Sequence, residues 1–160
     1  ESMKKKMLLS LMILFTVVGL TGCSNSSNKV MTCTKTEIEE DGHKTEETMN
    51  ISYGKDNYVT KVDATTIMEV DESYTDMMVG FMQSFSDEFN KIGGISYSIS
   101  KEGNNKVKQT MSIDYKNLDV DKLKEIAGED DNSTFIINTN ETHVTIDEFK
   151  KNELDGYTCK

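Results

Sequence analysis

Over residues 30–70 apolar and polar side chains alternate, the period of a half-buried β-strand, and two turn signals divide the run into three strands. The first signal, Glu40-Asp41-Gly42-His43, contains Asp-Gly, a pair that accepts the positive φ of a tight hairpin. A two-residue loop there sets Glu39 opposite Lys44 and gathers Val30, Thr32, Thr34, Thr36 and Ile38 on the face of Met49, Ile51 and Tyr53. The second signal, between Tyr53 and Tyr58, returns the chain so that Tyr58, Thr60, Val62, Ala64, Met68 and Val70 join that face. Cys33 points the other way in this register, so a bond to it lies on the outer face unless the first strand is displaced by one residue.

The period changes over residues 73–92. Tyr74, Met77, Met78, Phe81, Met82, Phe85, Phe89 and Ile92 recur at three and four residues, which predicts a long amphipathic helix with a core-facing stripe. Ser73 with Asp76 suits its start and Gly93-Gly94 its stop. Met77, Met78 and Met82 also suit an adaptable apolar pocket, since methionine fills irregular space.

Beyond the glycines, Ile95, Tyr97 and Ile99 alternate, as do Val107, Met111, Ile113 and Tyr115, and the odd-numbered loop Glu102-Gly103-Asn104 puts both sets on one face. Asp119 caps a predicted short helix carrying Val120, Leu123, Ile126 and Ala127, ended by Gly128. Short strands are predicted over residues 135–138 and 143–145. Thr145 and Glu148 have capping-box spacing before a last helix with Ile146, Phe149 and Leu154. This order predicts an α+β fold, a two-layer sandwich in which one antiparallel sheet carries one long amphipathic helix and shorter helices packed on one face.

The N-terminal pattern differs in kind. Lys4, Lys5 and Lys6 precede an apolar run of 14 residues from Met7 to Leu20, followed by Thr21, Gly22 and Cys23. A membrane-spanning helix needs about 20 apolar residues, so the shorter run reads as an export signal. Met3 is read as the start, with Glu1 and Ser2 set aside. "LTGC" resembles the lipobox of bacterial lipoproteins, which implies a diacylglyceryl group on Cys23 and cleavage before it. The expected organisation is a lipoprotein signal peptide at 3–22, a lipidated N-terminus and Ser/Asn tether at 23–29, and one α+β domain at 30–160. Seven tether residues reach at most about 25 Å, which keeps the domain near the membrane.

Cys33 and Cys159 then remain as an even pair near the two ends of an exported domain, and a disulfide between them is expected, with two unrelated buried thiols as the alternative. Removing three lysines and Glu1 from 18 basic and 28 acidic residues leaves a net charge of −12. That balance disfavours nucleic acid and anionic lipid as partners. The acids are clustered at Glu39-Glu40-Asp41, Glu46-Glu47, Asp71-Glu72, Asp87-Glu88 and Glu129-Asp130-Asp131. Solvated faces are the plainer reading; the sharper one is an acidic docking face for a basic protein or a cation, with Glu46, Glu47, Asp130 and Asp131 as its candidates.

No nucleophile elbow, zinc-protease motif, phosphate-binding glycine loop or EF-hand spacing occurs in the sequence. His43 falls in a predicted turn and His143 beside a predicted strand, neither near a second metal-ligating histidine or cysteine. No catalytic, cofactor-binding or metal residue is assigned and no cofactor is expected. The lipobox, "NKIGGISYSI" after the long helix, "SIDYKNLDVDKLKEIAG" and the terminal "DEFKKNELDGYTCK" together resemble the YehR-like family of small bacterial lipoproteins, a domain of unknown function, over essentially the whole mature chain. The resemblance implies an α/β sandwich and supplies no catalytic residues; the terminal cysteine pair departs from the family pattern. The expected role is a lipid-anchored binding or interaction module on the extracytoplasmic face of the cell membrane. The alternatives are a cell-envelope enzyme whose site is assembled only by folding, or a carrier of a small apolar ligand.

Overall fold

A computed structural model describes residues 28–127 and 143–160. Cys23, the signal-peptide residues, Asp130, Asp131 and the strand expected over 135–138 lie outside them. The chain forms β1 (Lys29–Ile38), β2 (Lys44–Tyr53), β3 (Val59–Glu69), α1 (Glu72–Phe89), β4 (Ile95–Lys101), β5 (Lys106–Asp114), α2 (Val120–Ala127), α3 (Ile146–Glu153) and β6 (Thr158–Cys159). All six strands join one antiparallel sheet in the order β4-β5-β3-β2-β1-β6.

The registers explain the core. Met31, Ile51, Val62, Ile113 and Ile95 lie opposite one another in one row, and Cys33, Met49, Ala64, Met111 and Tyr97 form the next. Most of these side chains are buried. On the reverse face the equivalent row is Thr158, Thr34, Thr48, Thr65, Thr110 and Ser98, hydroxyls that suit a face turned to water.

The expected β1 register is one residue off. Ile38, not Glu39, pairs with Lys44, because the hairpin closes through a three-residue loop: Gly42 N–H donates to the Glu39 carbonyl, and Glu39 N–H to that of His43. Gly42 at φ 90° supplies the left-handed residue this loop requires. One step flips the strand, so Met31 and Cys33 turn inward while Val30 and Ile38 are left exposed. The β2 and β3 faces are as expected, with Met49 opposite Ala64 and Ile51 opposite Val62. A bulge beside Tyr53 additionally turns Val59 inward. The β4–β5 loop sits one residue later than expected, at residues 103–105, which preserves parity and buries both apolar sets.

The expectation of a two-layer sandwich built on a long, core-facing amphipathic helix is corrected: the sheet is the body of the fold. Of the expected stripe only Phe89 and, past the helix end, Ile92 are buried, whereas Tyr74, Met77, Phe81 and Phe85 are exposed. The surface that α1 turns inward is a neighbouring one, Thr75, Met78, Val79, Met82, Ser86 and Phe89. Its short hydroxyl side chains bring the helix close enough to hydrogen-bond the sheet margin. Thr75 Oγ1 donates to the Asn104 carbonyl at 2.9 Å, and Ser86 Oγ to the Tyr97 carbonyl at 3.0 Å. The helix starts at Glu72 with Asp71 at the cap position, and the Asp76 carboxylate is taken by Lys101 at 2.8 Å.

Gly94 is where the chain turns from α1 into β4. Its φ is 83°, and a Cβ there would stand 2.7 Å from the Asp114 carbonyl oxygen and the Leu118 backbone, so only glycine fits. Asp119 caps α2 by accepting from Lys122 N–H at 3.0 Å, and Leu123 is buried. The Thr145–Glu148 capping box is present at α3, which buries Ile146 and Phe149. No helix among the described residues is long and apolar enough to cross a membrane.

Candidate functional site

In an antiparallel meander the β1–β2 turn and the end of β3 meet at the same edge, and α1 starts there. Glu39, Asp41 and His43 come from the turn, Glu69 and Val70 from the end of β3, and Asp71, Tyr74, Met77, Met78 and Phe81 from α1. Together they line an open groove of about 600 Å³ with a predominantly apolar floor. Tyr74 is 54% exposed, Met77 65% and Phe81 65%, so the floor is accessible to a visitor. Phe81 meets the ring of Phe85 edge-on at 5.1 Å between centroids, which extends the apolar strip along the helix.

His43 ties the rim together. Its Nδ1 lies 2.8 Å from Asp41 Oδ2, its backbone N–H donates to Asp41 Oδ1 at 3.0 Å, and its Nε2 is 3.6 Å from Asp71 Oδ1. The hydrogen bond to Asp41 chiefly raises the imidazole pKa, with the charges of Asp41, Asp71 and Glu69 adding to it. Asp41 is held below its ordinary value, first by the His43 N–H and then by the ring. Glu69 is lowered by Lys106, whose Nζ lies 3.2 Å away. The groove is therefore an apolar surface bounded by four carboxylates, with His43 beside Asp41 and Asp71, and Lys106 beside Glu69.

Other candidates fall elsewhere. Cys33 and Cys159 face each other across β1 and β6 with Cα atoms 4.0 Å apart, and they are bonded. Glu46 and Glu47 are successive strand residues and point to opposite faces of β2. Glu46 holds Lys44 at 2.6 Å, whereas Glu47 accepts from the Tyr157 hydroxyl, whose pKa is raised first by burial and then by that bond. They do not form one docking surface. Met77 and Met78 line the groove, but Met82 lies among the side chains packed on the core. His143 contacts the Tyr58 ring at 5.3 Å, at the opposite end of β2 from His43. Among the described residues no group of three His, Cys, Asp or Glu side chains is placed to hold a metal ion. The rim acids were visible as clusters at 39–41 and 71–72; their convergence follows from the meander topology, which a sequence cluster alone does not express.

No family model matches the chain, and no curated protein matches it either. Among solved structures it is similar to the NMR structure of the E. coli YehR protein, with a TM-score of 0.59 and 13% identity over 85% of this chain and 93% of that one. It is also similar to the NMR structure of a protein from Streptococcus pneumoniae TIGR4, with a TM-score of 0.56 and 14% identity over 94% of each chain. At such identities the likeness is one of fold, and the fold is YehR-like.

Proposed function

We propose that the chain is a lipid-anchored, extracytoplasmic binding module, held to the cell membrane through Cys23, and that the groove at the start of α1 is its recognition surface. The observation that carries the reading is the uncovered apolar floor inside an acidic rim: large apolar side chains are left in water side by side at Tyr74, Met77 and Phe81. Contiguous exposed apolar surface rimmed by polar groups is the usual mark of an interaction site. A small apolar ligand is the second reading, favoured by a volume of about 600 Å³, within the roughly 300–1,000 Å³ of small-molecule sites.

Two experiments test the reading. Nile red, a neutral apolar dye, should brighten on the wild-type protein and lose most of that signal in Phe81→Ser and Met77→Ser; a signal indifferent to both places recognition elsewhere. For the anchor, Cys23→Ser should release the protein from membranes, since the Ser/Asn tether has neither an apolar nor a strongly basic element to hold it. A Ser variant that still sediments with membranes after signal cleavage overturns the anchor.

A further inference from the structure

We propose that the groove binds a basic amphipathic peptide segment, whose apolar side chains lie on Tyr74, Met77 and Phe81 and whose lysines or arginines reach the carboxylates of Glu39 and Asp71. This rests on the groove being the recognition surface and adds the class of its partner. The stripe from Tyr74 to Phe85 runs about 16 Å along α1, the length of three helical turns, and offers apolar side chains at the three- and four-residue spacing a partner helix would match.

Charge complementarity selects a cationic occupant. Glu69 already has Lys106, and Asp41 has His43, but among the described residues no cation lies on Glu39, and Asp71 has only the His43 ring at 3.6 Å. The whole chain adds a net charge of −10, which attracts a basic segment from a distance and repels a second copy. Area argues against a second copy as well. Side chains exposed to this degree offer roughly 100 Å² each, so Tyr74, Met77, Phe81 and Phe85 supply about half of the ~800 Å² per partner of a standard stable interface. An uncharged apolar ligand would use the floor and leave the rim carboxylates without a role.

The test uses a synthetic leucine–lysine peptide about four turns long with its leucines on one helical face, and a scrambled peptide of the same composition. Binding is followed by fluorescence anisotropy against the protein from Ser24 onward. The patterned peptide should bind at least tenfold more tightly than the scrambled one. Phe81→Ser should weaken it about tenfold, Glu39→Gln and Asp71→Asn about threefold each, and raising salt from about 0.05 to 0.5 M should weaken it strongly. All three residues are exposed, and an unchanged melting temperature confirms that each variant is folded. Equal binding of both peptides would reduce the effect to general attraction and overturn the proposal. So would indifference to Phe81→Ser, or a dimer in sedimentation that Phe81→Ser dissociates. Nile red brightening that depends on Phe81, together with no peptide binding, would overturn the peptide while leaving the groove as a recognition surface; loss of both would remove the groove reading itself.

Discussion

The side chain of Asn90 makes both hydrogen bonds that a neighbouring strand would make with Tyr97: its Nδ2 donates to the Tyr97 carbonyl at 2.8 Å, and its Oδ1 accepts from the Tyr97 N–H at 2.8 Å. Tyr97 lies in β4, the end strand of the sheet, where backbone groups otherwise face solvent and invite pairing with another chain. The residue that ends α1 thus closes the middle of the sheet edge, and Ser86 adds a third bond to the same carbonyl.

Asn90→Ala should therefore cost about 1–2 kcal/mol, the cost of leaving the partly buried Tyr97 N–H unmatched while Ser86 still serves the carbonyl. It should also raise the aggregation rate at high concentration. Asn90→Asp retains the acceptor and loses the donor, so its melting temperature should fall between those of the wild type and Asn90→Ala. Equal melting for all three proteins would show that water replaces the carboxamide without loss.

Cys33 and Cys159 are bonded across a sequence separation of 126. In the chain-entropy model such a link restricts the unfolded chain by about 5 kcal/mol, an upper figure because denatured-state structure lessens it. Reduction should lower the melting temperature markedly. The far-ultraviolet spectrum should change little, since β6 contributes two residues and the sheet keeps its other five strands. Reduction should also speed hydrogen exchange at Thr32 and Lys160, which exchange backbone bonds at 3.0 Å beside the disulfide. Two titratable thiols in the native, oxidised domain from Ser24 onward would contradict the bond.

The His43 contact carries a pH signature. Its pKa is raised above the ordinary 6.5 by Asp41, with Asp71 and Glu69 adding charge, so its stabilisation is complete below 6.5 and is lost as pH rises through the raised value. Asp41 is lowered below the ordinary 3.8, so its share is present above that value and is lost as pH falls through the lowered one. The turn should accordingly be tightest between about pH 4 and 6.5. An NMR titration of the His43 ring should show a midpoint above 6.5 that moves down in Asp41→Asn. An unshifted midpoint in that variant would remove Asp41 as the cause.

What the sequence disclosed was parity, and what it withheld was geometry decided by turns and by small polar side chains. Met49 with Ala64, and Ile95 with Ile113, alternate strictly between turns whose parity is clear, so their faces are legible. The capping box at Thr145 is a local code and needs no tertiary context. In contrast, Asp41-Gly42 is compatible with loops of two or three residues, and that choice inverts β1. Cys33 held a clue, since its own side chain turns to the buried face only in the observed register. The groove was least legible, because it joins a hairpin turn to a helix start nearly thirty residues away.

The long helix offers the sharpest contrast between apolar periodicity and observed packing. Periodicity favours Phe81 as a core residue, and burying such a side chain makes its removal cost about 3–5 kcal/mol. In the fold Phe81 is 65% exposed, while Thr75, which no hydrophobicity pattern selects, is 0% exposed and donates to the carbonyls of Asp71 and Asn104. Phe81→Ser should then change stability by no more than about 0.5 kcal/mol, as at ordinary surface sites. Thr75→Val keeps the shape but leaves the Asn104 carbonyl without its donor, at a cost of about 1–3 kcal/mol. Ser86→Leu should be worse tolerated than its hydrophobic gain suggests, because 3% exposure against Tyr97 leaves no room for the added carbons and overpacking costs about 1–3 kcal/mol. Denaturant unfolding of the three variants orders them directly. If Phe81→Ser proved the most destabilising, the helix would sit on its apolar stripe, and the groove, whose floor is that stripe, would not exist.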